Sequence, residues 1–218
     1  MPPRARRSTR GPDRTAALAQ YRRRARVYDL ELRPFEPIRR RAIAWLGLVP
    51  GDTVLDVGCG TGMSFELLQR RVGPTGRIVG IEQSPEMIER ARERVRRHGW
   101  TNVTLVNAPV EDAKVRARAD AALFHFTHDI LRQPRALANV LRRLKPGAAV
   151  VAAGLQWARP WAVPTNLAVL VAALHSVTSL EGLHRPWDQL AGFLDDLQLE
   201  RSLLGGVFIA RGTRRRDT

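Results

Sequence analysis

From residue 53 onward, short apolar runs alternate with longer stretches in which apolar and charged residues mix. TVLDV (53–57), RIVGIE (77–82), NVTLVNA (102–108), DAALFHF (120–126) and AAVVAAG (148–154) have strand length and are bounded by turn residues. Between them, residues Gly62 to Arg71 predict a helix with Phe65, Leu67 and Leu68 on its inner side, closed by the turn RVGPTG (71–76). Ser84 followed by Pro85 predicts a capped helix running to about Arg97, ended by HGW. ILRQPRALANVLRRL (130–144) predicts a further helical segment with KPG as its stop. Strands alternating with helices imply an α/β fold, a doubly wound parallel sheet with helices on both faces.

The flanks read differently. Residues 1–14 carry Pro, Gly, Arg and Ser without periodicity and predict a disordered basic arm. Residues 15 to about 46 are helical and amphipathic, broken near Pro34 and Pro37, which predicts two helices. After Gly154 the rhythm changes: 155–186 is an insert containing Trp157, Trp161 and an apolar segment. Trp187 to Leu197 predicts another helix, and LQLERSL with GGVFIARG predicts a closing antiparallel hairpin around Gly205–Gly206. No internal repeat is visible, and 15–218 is expected to form a single domain.

The 218-residue chain is long enough to bury a substantial core. Its one cysteine, Cys59, excludes a disulfide framework or a cysteine-rich metal cluster, and no metal site is expected. No apolar leader follows the basic N-terminus, and the apolar stretch 161–174 is interrupted and too short to cross a bilayer. A soluble, cytoplasmic protein is expected. The formal charge of +15 invites phosphate-bearing partners. Lys114 and Lys145 are the only lysines among 36 basic residues, however, and such lopsided use of arginine also fits coding bias.

Residues 54–62, VLDVGCGTG, run a buried strand into an acid and then a glycine-rich turn. Glycine there permits a sharp turn and lets a ligand lie against backbone. Glu82 ends the next strand roughly 20 residues later, where an acid can take a ribose diol. The loop is neither GxGxxG nor a P-loop, and an acid beside it suits a cationic ligand better than a pyrophosphate. VLDVGCGTG followed by GRIVGIEQSPEMIERAR resembles the class I S-adenosylmethionine-dependent methyltransferases over about residues 20–154. Within them, the chain is most similar to the small-molecule and lipid type, the ubiquinone-biosynthesis and phospholipid N-methyltransferase group.

The resemblance implies a Rossmann-like methyltransferase sheet, mostly parallel with the C-terminal hairpin antiparallel, and S-adenosylmethionine as cofactor with S-adenosylhomocysteine as product. By the same resemblance Asp56, Gly58, Cys59, Gly60, Thr61 and Gly62 hold the amino-acid end of the cofactor, and Glu82 takes the ribose hydroxyls. Gln83 and Met87 lie near the adenine, beside the loop formed by Ala108, Pro109, Val110 and Glu111. That loop reads NAPVEDA where the family often has an acid at the second position, so Glu111 or Asp112 is the remaining candidate partner for the adenine amino group. HFTHD (125–129) ends the fourth strand and faces the transferred methyl in this family. Phe126 is therefore a cofactor contact, and His128, ahead of His125, is a candidate base or substrate contact, or a capping histidine. Tyr21 and Tyr28 are lid candidates over the acceptor, and Trp157 and Trp161 could wall it.

The acceptor is expected to be small and apolar or lipid-like, with peripheral contact to a membrane surface through the insert and the basic arm. No Asp/Asn-Pro-Pro-Tyr/Phe follows strand four, and the sole cysteine lies in the glycine loop, which excludes a cytosine-C5 mechanism. An RNA or protein methyltransferase using the basic surface, so that nucleic acid becomes a partner, and a non-catalytic cofactor-binding accessory are the alternatives.

Overall fold

The computed structural model describes residues 32–176 and 180–215. The basic arm 1–14, the first predicted lid helix, Tyr21 and Tyr28 lie outside the described residues. A 3-10 turn at Arg33–Phe35 leads into α1 (Glu36–Trp45). Then follow β1 (Thr53–Val57), α2 (Phe65–Val72), β2 (Arg77–Glu82), α3 (Pro85–His98), β3 (Val103–Asn107) and β4 (Ala119–His125). The second half holds α4 (His128–Leu131), α5 (Pro134–Leu141), β5 (Leu144–Leu155), α6 (Val163–Ser176), α7 (Asp188–Ala191), β6 (Leu194–Ser202) and β7 (Val207–Arg214).

The strands form one seven-stranded sheet in the order β3-β2-β1-β4-β5-β7-β6. β1 to β5 pair in parallel, and β7 lies antiparallel between β5 and β6. Period-two alternation along each strand feeds two cores. Leu55, Val57, Val79, Ile81, Phe124 and Val150 pack on one face against α5 and Trp187. Val54, Ile78, Leu123, Val151 and Ile209 pack on the other against α1, α2 and α3. Both faces are covered, which is why the central strands are apolar at nearly every position.

The cap read at Ser84 is present: its side chain accepts the Met87 N–H at 3.3 Å, Pro85 takes the first helical position, and Gly99 closes the helix in the left-handed region. Three boundaries differ from the sequence reading. α2 starts at Phe65 rather than Gly62, because Gly62 has φ 77° and belongs to the glycine loop. Residues 130–144 do not form one helix. Pro134 cannot continue the preceding turn and opens α5 instead, and Leu144 already pairs with Ala119, so KPG lies inside β5 rather than ahead of it. Residues 187–197 hold only the single turn α7. From Leu194 the chain pairs with β7 as strand β6, irregular around Asp196 (φ 54°). The helical spacing of Trp187, Leu190, Leu194 and Leu197 is outweighed by an open sheet edge that needs a partner.

Replacing Ser84 with Ala removes the acceptor for the Met87 N–H. The expected loss is about 1 kcal/mol of unfolding free energy in urea titration, with an unchanged m-value.

Candidate active site

The site lies at the carboxyl ends of β1, β2 and β4, where strand order reverses from β1–β2–β3 to β4–β5, the position at which open α/β sheets take ligands. The glycine loop turns back over β2: the N–H groups of Gly58 and Cys59 both donate to the Ile81 carbonyl, at 2.8 and 3.0 Å. Gly58 has φ 71°, and a Cβ there would lie 2.5 Å from Thr127 Cγ2 and 3.0 Å from Ile130 Cδ1. Glycine is therefore required at this position by the β4–α4 connection as well as by the turn.

Glu82 is buried, and its carboxylate accepts the N–H of Gly60 at 3.1 Å and of Ser84 at 2.8 Å. Burial pushes its carboxyl up, opposed by these backbone donors. Asn107 and Ala108 donate to the Glu82 carbonyl at 2.9 and 3.1 Å, which fixes the start of the NAPVEDA loop against β2. Pro109, Val110 and Glu111 follow, with a 3-10 turn over Val110–Asp112 pinned by Asn139, which donates to the Val110 carbonyl at 2.6 Å. Met87 is buried in the first turn of α3 and Gln83 is half-buried beside it. Thr61 is buried, and its carbonyl accepts from Arg94 at 3.0 Å.

Asp56, one residue before the end of β1, has only 2% of its surface exposed, and among the described residues its Oδ2 has no hydrogen-bond partner. Burial pushes its carboxyl up to about 7; the Arg39 guanidinium pulls it down and Glu82 raises it further. Arg39, from α1, is 1% exposed. It pairs with Glu36, donates to Met63 Sδ at 3.7 Å, and lines one cavity with Asp56, Gly58, Gly60 and His125. Sequence reading missed Arg39. The available signal was a charge set three and four residues before Ala42 and Ile43, on the buried face of α1.

The two histidines separate. His125 lines the cavity, its Nε2 has no partner among the described residues, and burial and then Arg39 hold its pKa well below the usual imidazole value. His128 faces the core: its Nε2 donates to the Leu155 carbonyl at 2.7 Å, and its ring fills the space a Cβ on Gly154 would take. A carbonyl can only accept, so Nε2 carries the proton. Cys59 is buried, and burial, Asp56 and Glu82 all push its thiol up, so it stays a neutral packing group. Phe126 (φ 57°) packs its ring on Phe35 at 4.9 Å. Trp157 and Trp161 stand apart from the glycine loop, on a second cavity beyond β5. Among the described residues no cluster of His, Cys, Asp and Glu could hold a metal ion.

Residues 48–177 match the family described as a methyltransferase domain. The chain belongs to the class I S-adenosylmethionine-dependent methyltransferases. The chain is 34% identical over 153 residues to a 2-phytyl-1,4-naphtoquinone methyltransferase of Trichormus variabilis, covering 65% of this chain and 65% of that relative. It thus spans just under two thirds of that curated relative. Among solved structures it is similar to a SAM-dependent methyltransferase from Aquifex aeolicus (TM-score 0.56, 22% identity, 81% of this chain and 89% of that one). It is also similar to the N-methyltransferase NodS of Bradyrhizobium japonicum in complex with S-adenosylhomocysteine (TM-score 0.60, 19% identity, 85% of this chain and 91% of that one). These two likenesses are of fold.

The residues fit the cofactor. The orphaned Asp56 oxygen and the buried Arg39 cation can receive an ammonium and a carboxylate. Each Glu82 oxygen accepts one backbone N–H and keeps a lone pair for a hydroxyl.

A cation placed at Asp56 lowers its pKa, so cofactor binding near pH 7 should release protons. Calorimetry in buffers of different ionisation enthalpy is expected to show that release in the wild type and not in Asp56→Asn. Wild-type affinity should weaken by at most about tenfold per pH unit as pH falls below about 7.

Proposed function

We propose that the protein methylates a small apolar acceptor of the lipid or quinone class, held beside Phe126 and the insert. The carrying observation is an apolar cluster at the carboxyl end of the sheet, next to the glycine loop. Phe126, Leu155, Val169, Ala173, Leu183 and Val207 pack there, with Phe35, Ile38 and Trp157 against them. The naphthoquinone methyltransferases among its relatives support the acceptor class.

S-adenosylmethionine supplies a methyl on a sulfonium, which a nucleophile displaces in line to leave S-adenosylhomocysteine. The protein then contributes alignment and exclusion of water. Asp56, Arg39 and Glu82 fix the donor, while Phe126 and Phe35 give the acceptor side a dry apolar lining. His125 is neutral at pH 7 with a free Nε2, and it accepts a hydrogen bond from an acceptor hydroxyl or takes its proton as the methyl bond forms. His128 works through packing under β5. Gln83 and Met87 would hold the adenine, with Glu111 as the partner for its amino group.

The same side of the molecule supports peripheral contact with an anionic membrane. α6 carries no charged residue and exposes Val163 (65%), Leu167 (61%) and Val171 (52%) on one side. At the β6–β7 turn, Leu203 and Leu204 are 61% and 69% exposed, and both hold positive φ. Left-handed backbone costs roughly 1–2 kcal/mol per such residue, so the pair stands out where folding gains nothing from exposure. The exposed Arg159, Arg185 and Arg201 border this surface. A cytoplasmic enzyme working at the membrane face accommodates these features, and they favour a lipid partner over nucleic acid.

Incubation with methyl-labelled cofactor and a reduced naphthoquinone in detergent should give a labelled quinol. His125→Phe should lower kcat by about 10²-fold while S-adenosylhomocysteine still binds, and an unchanged kcat would remove His125 from the chemistry. Label entering RNA or protein but no quinol would favour the basic-surface alternative. Leu204→Asp should weaken sedimentation with phosphatidylglycerol vesicles by about tenfold.

A further inference from the structure

Beyond β5 a second cavity, of about 560 Å³, opens at the carboxyl end of the sheet. Gln156, Trp157, Arg159 and Trp161 line it from the segment after β5, with His184 and Arg201 opposite, and no carboxylate is among its lining residues. Neighbouring acids are engaged elsewhere: Glu181 pairs with Arg132 at 2.7 Å, Asp188 with Arg185 at 2.9 Å and Glu200 with Arg41 at 3.0 Å. Among the described residues the Arg159 side chain has no ion-pair or hydrogen-bond partner. Arg201 lies over the Trp187 ring, 5.5 Å from its centroid, which leaves its donors unspent.

Gln156 supplies a second, independent sign. It is only 3% exposed, and its Nε2 donates to the Gly205 carbonyl at 2.6 Å. That bond fixes the orientation of the amide and leaves Oε1 buried without a donor among the described residues. A buried acceptor left unpaired carries its desolvation cost, which a ligand hydroxyl would recover. The walls are held in place beforehand: Gln156 N–H donates to the Gly206 carbonyl at 3.0 Å, Trp157 N–H to Leu183 at 2.8 Å and Ala158 N–H to Asn166 Oδ1 at 2.9 Å.

We propose that this cavity is an acceptor subsite for an anionic group, a carboxylate or phosphate, borne on a flat aromatic body with a neighbouring hydroxyl. Guanidinium forks match the planar oxygens of such anions, the indoles of Trp157 and Trp161 give flat apolar contact, and Gln156 Oε1 accepts the hydroxyl proton. This inference rests on the reading that the acceptor is held beside Phe126 and the insert, and it adds a preference for an anionic group on that body.

The test is calorimetric titration of the full chain with 1-hydroxy-2-naphthoate and with its neutral amide, on the wild type and on Arg159→Gln/Arg201→Gln. S-adenosylhomocysteine titration of the same variant reports the integrity of the cofactor site. The expected result is saturable naphthoate binding, roughly tenfold or more weaker for the amide and for the variant, with cofactor-product binding unchanged. Equal affinity for acid and amide, an unaffected variant, or no naphthoate binding overturns it. A parallel arm with phosphatidylglycerol vesicles separates the sources of the anion: vesicle binding lost in the variant without any naphthoate binding moves the anion to a lipid headgroup and overturns the acceptor assignment. Methylation of a neutral quinol despite any of these failures leaves the proposed activity standing.

Discussion

The Glu82 carboxylate, buried at the end of β2, takes the N–H of Gly60 with one oxygen and the N–H of Ser84 with the other. Through these two bonds one side chain clasps the glycine loop after β1 and the capped start of α3, while its own carbonyl holds Asn107 and Ala108 after β3. Three loops at the carboxyl edge of the sheet thus meet at one residue. Hydrogen bonds to a charged acceptor contribute about 1.5–3 kcal/mol each, enough to offset part of the cost of burying the carboxylate. The clasp also sets the chemistry. Lone pairs remain on both oxygens, two acceptors of the kind a diol requires.

The electrostatics of the neighbouring groups follow from burial. Asp56, His125 and Arg39 share one cavity away from water. Burial pushes the Asp56 carboxyl there toward neutrality and the His125 imidazole away from protonation. A zwitterionic amino-acid group is the natural complement to that set. Positive φ at Gly58, where glycine takes it freely, and at Phe126, where it carries a cost, falls where the loop and the end of β4 approach each other.

The sequence made the sheet legible because each central strand is a short apolar run closed by turn residues, and the glycine loop, Glu82 and the Ser84–Pro85 cap are local signals. What it concealed depends on tertiary partners. Leu194 to Ser202 has helical spacing yet becomes β6, since β7 offers an unpaired edge. KPG looks like a stop but lies in β5, whose early register is shifted opposite Ala119 to Ala121. Arg39 reads as one of three surface arginines until α1 docks and buries it. HFTHD puts His128 ahead of His125 as the candidate base, but the turn at Phe126 sends the His125 ring to the cavity and the His128 ring beneath β5. The roles of Arg159, Arg201 and Gln156 require the hairpin to fold back onto the insert.

The most direct test of cofactor binding at this clasp is calorimetric titration of the full chain with S-adenosylhomocysteine, beside Glu82→Gln, with thermal unfolding of both recorded. Saturable one-site binding in the wild type, weakened by about a hundredfold or more in a variant that still unfolds cooperatively, is the expected result. Binding that survives unchanged in Glu82→Gln, or a wild type that takes up no S-adenosylhomocysteine, would contradict it.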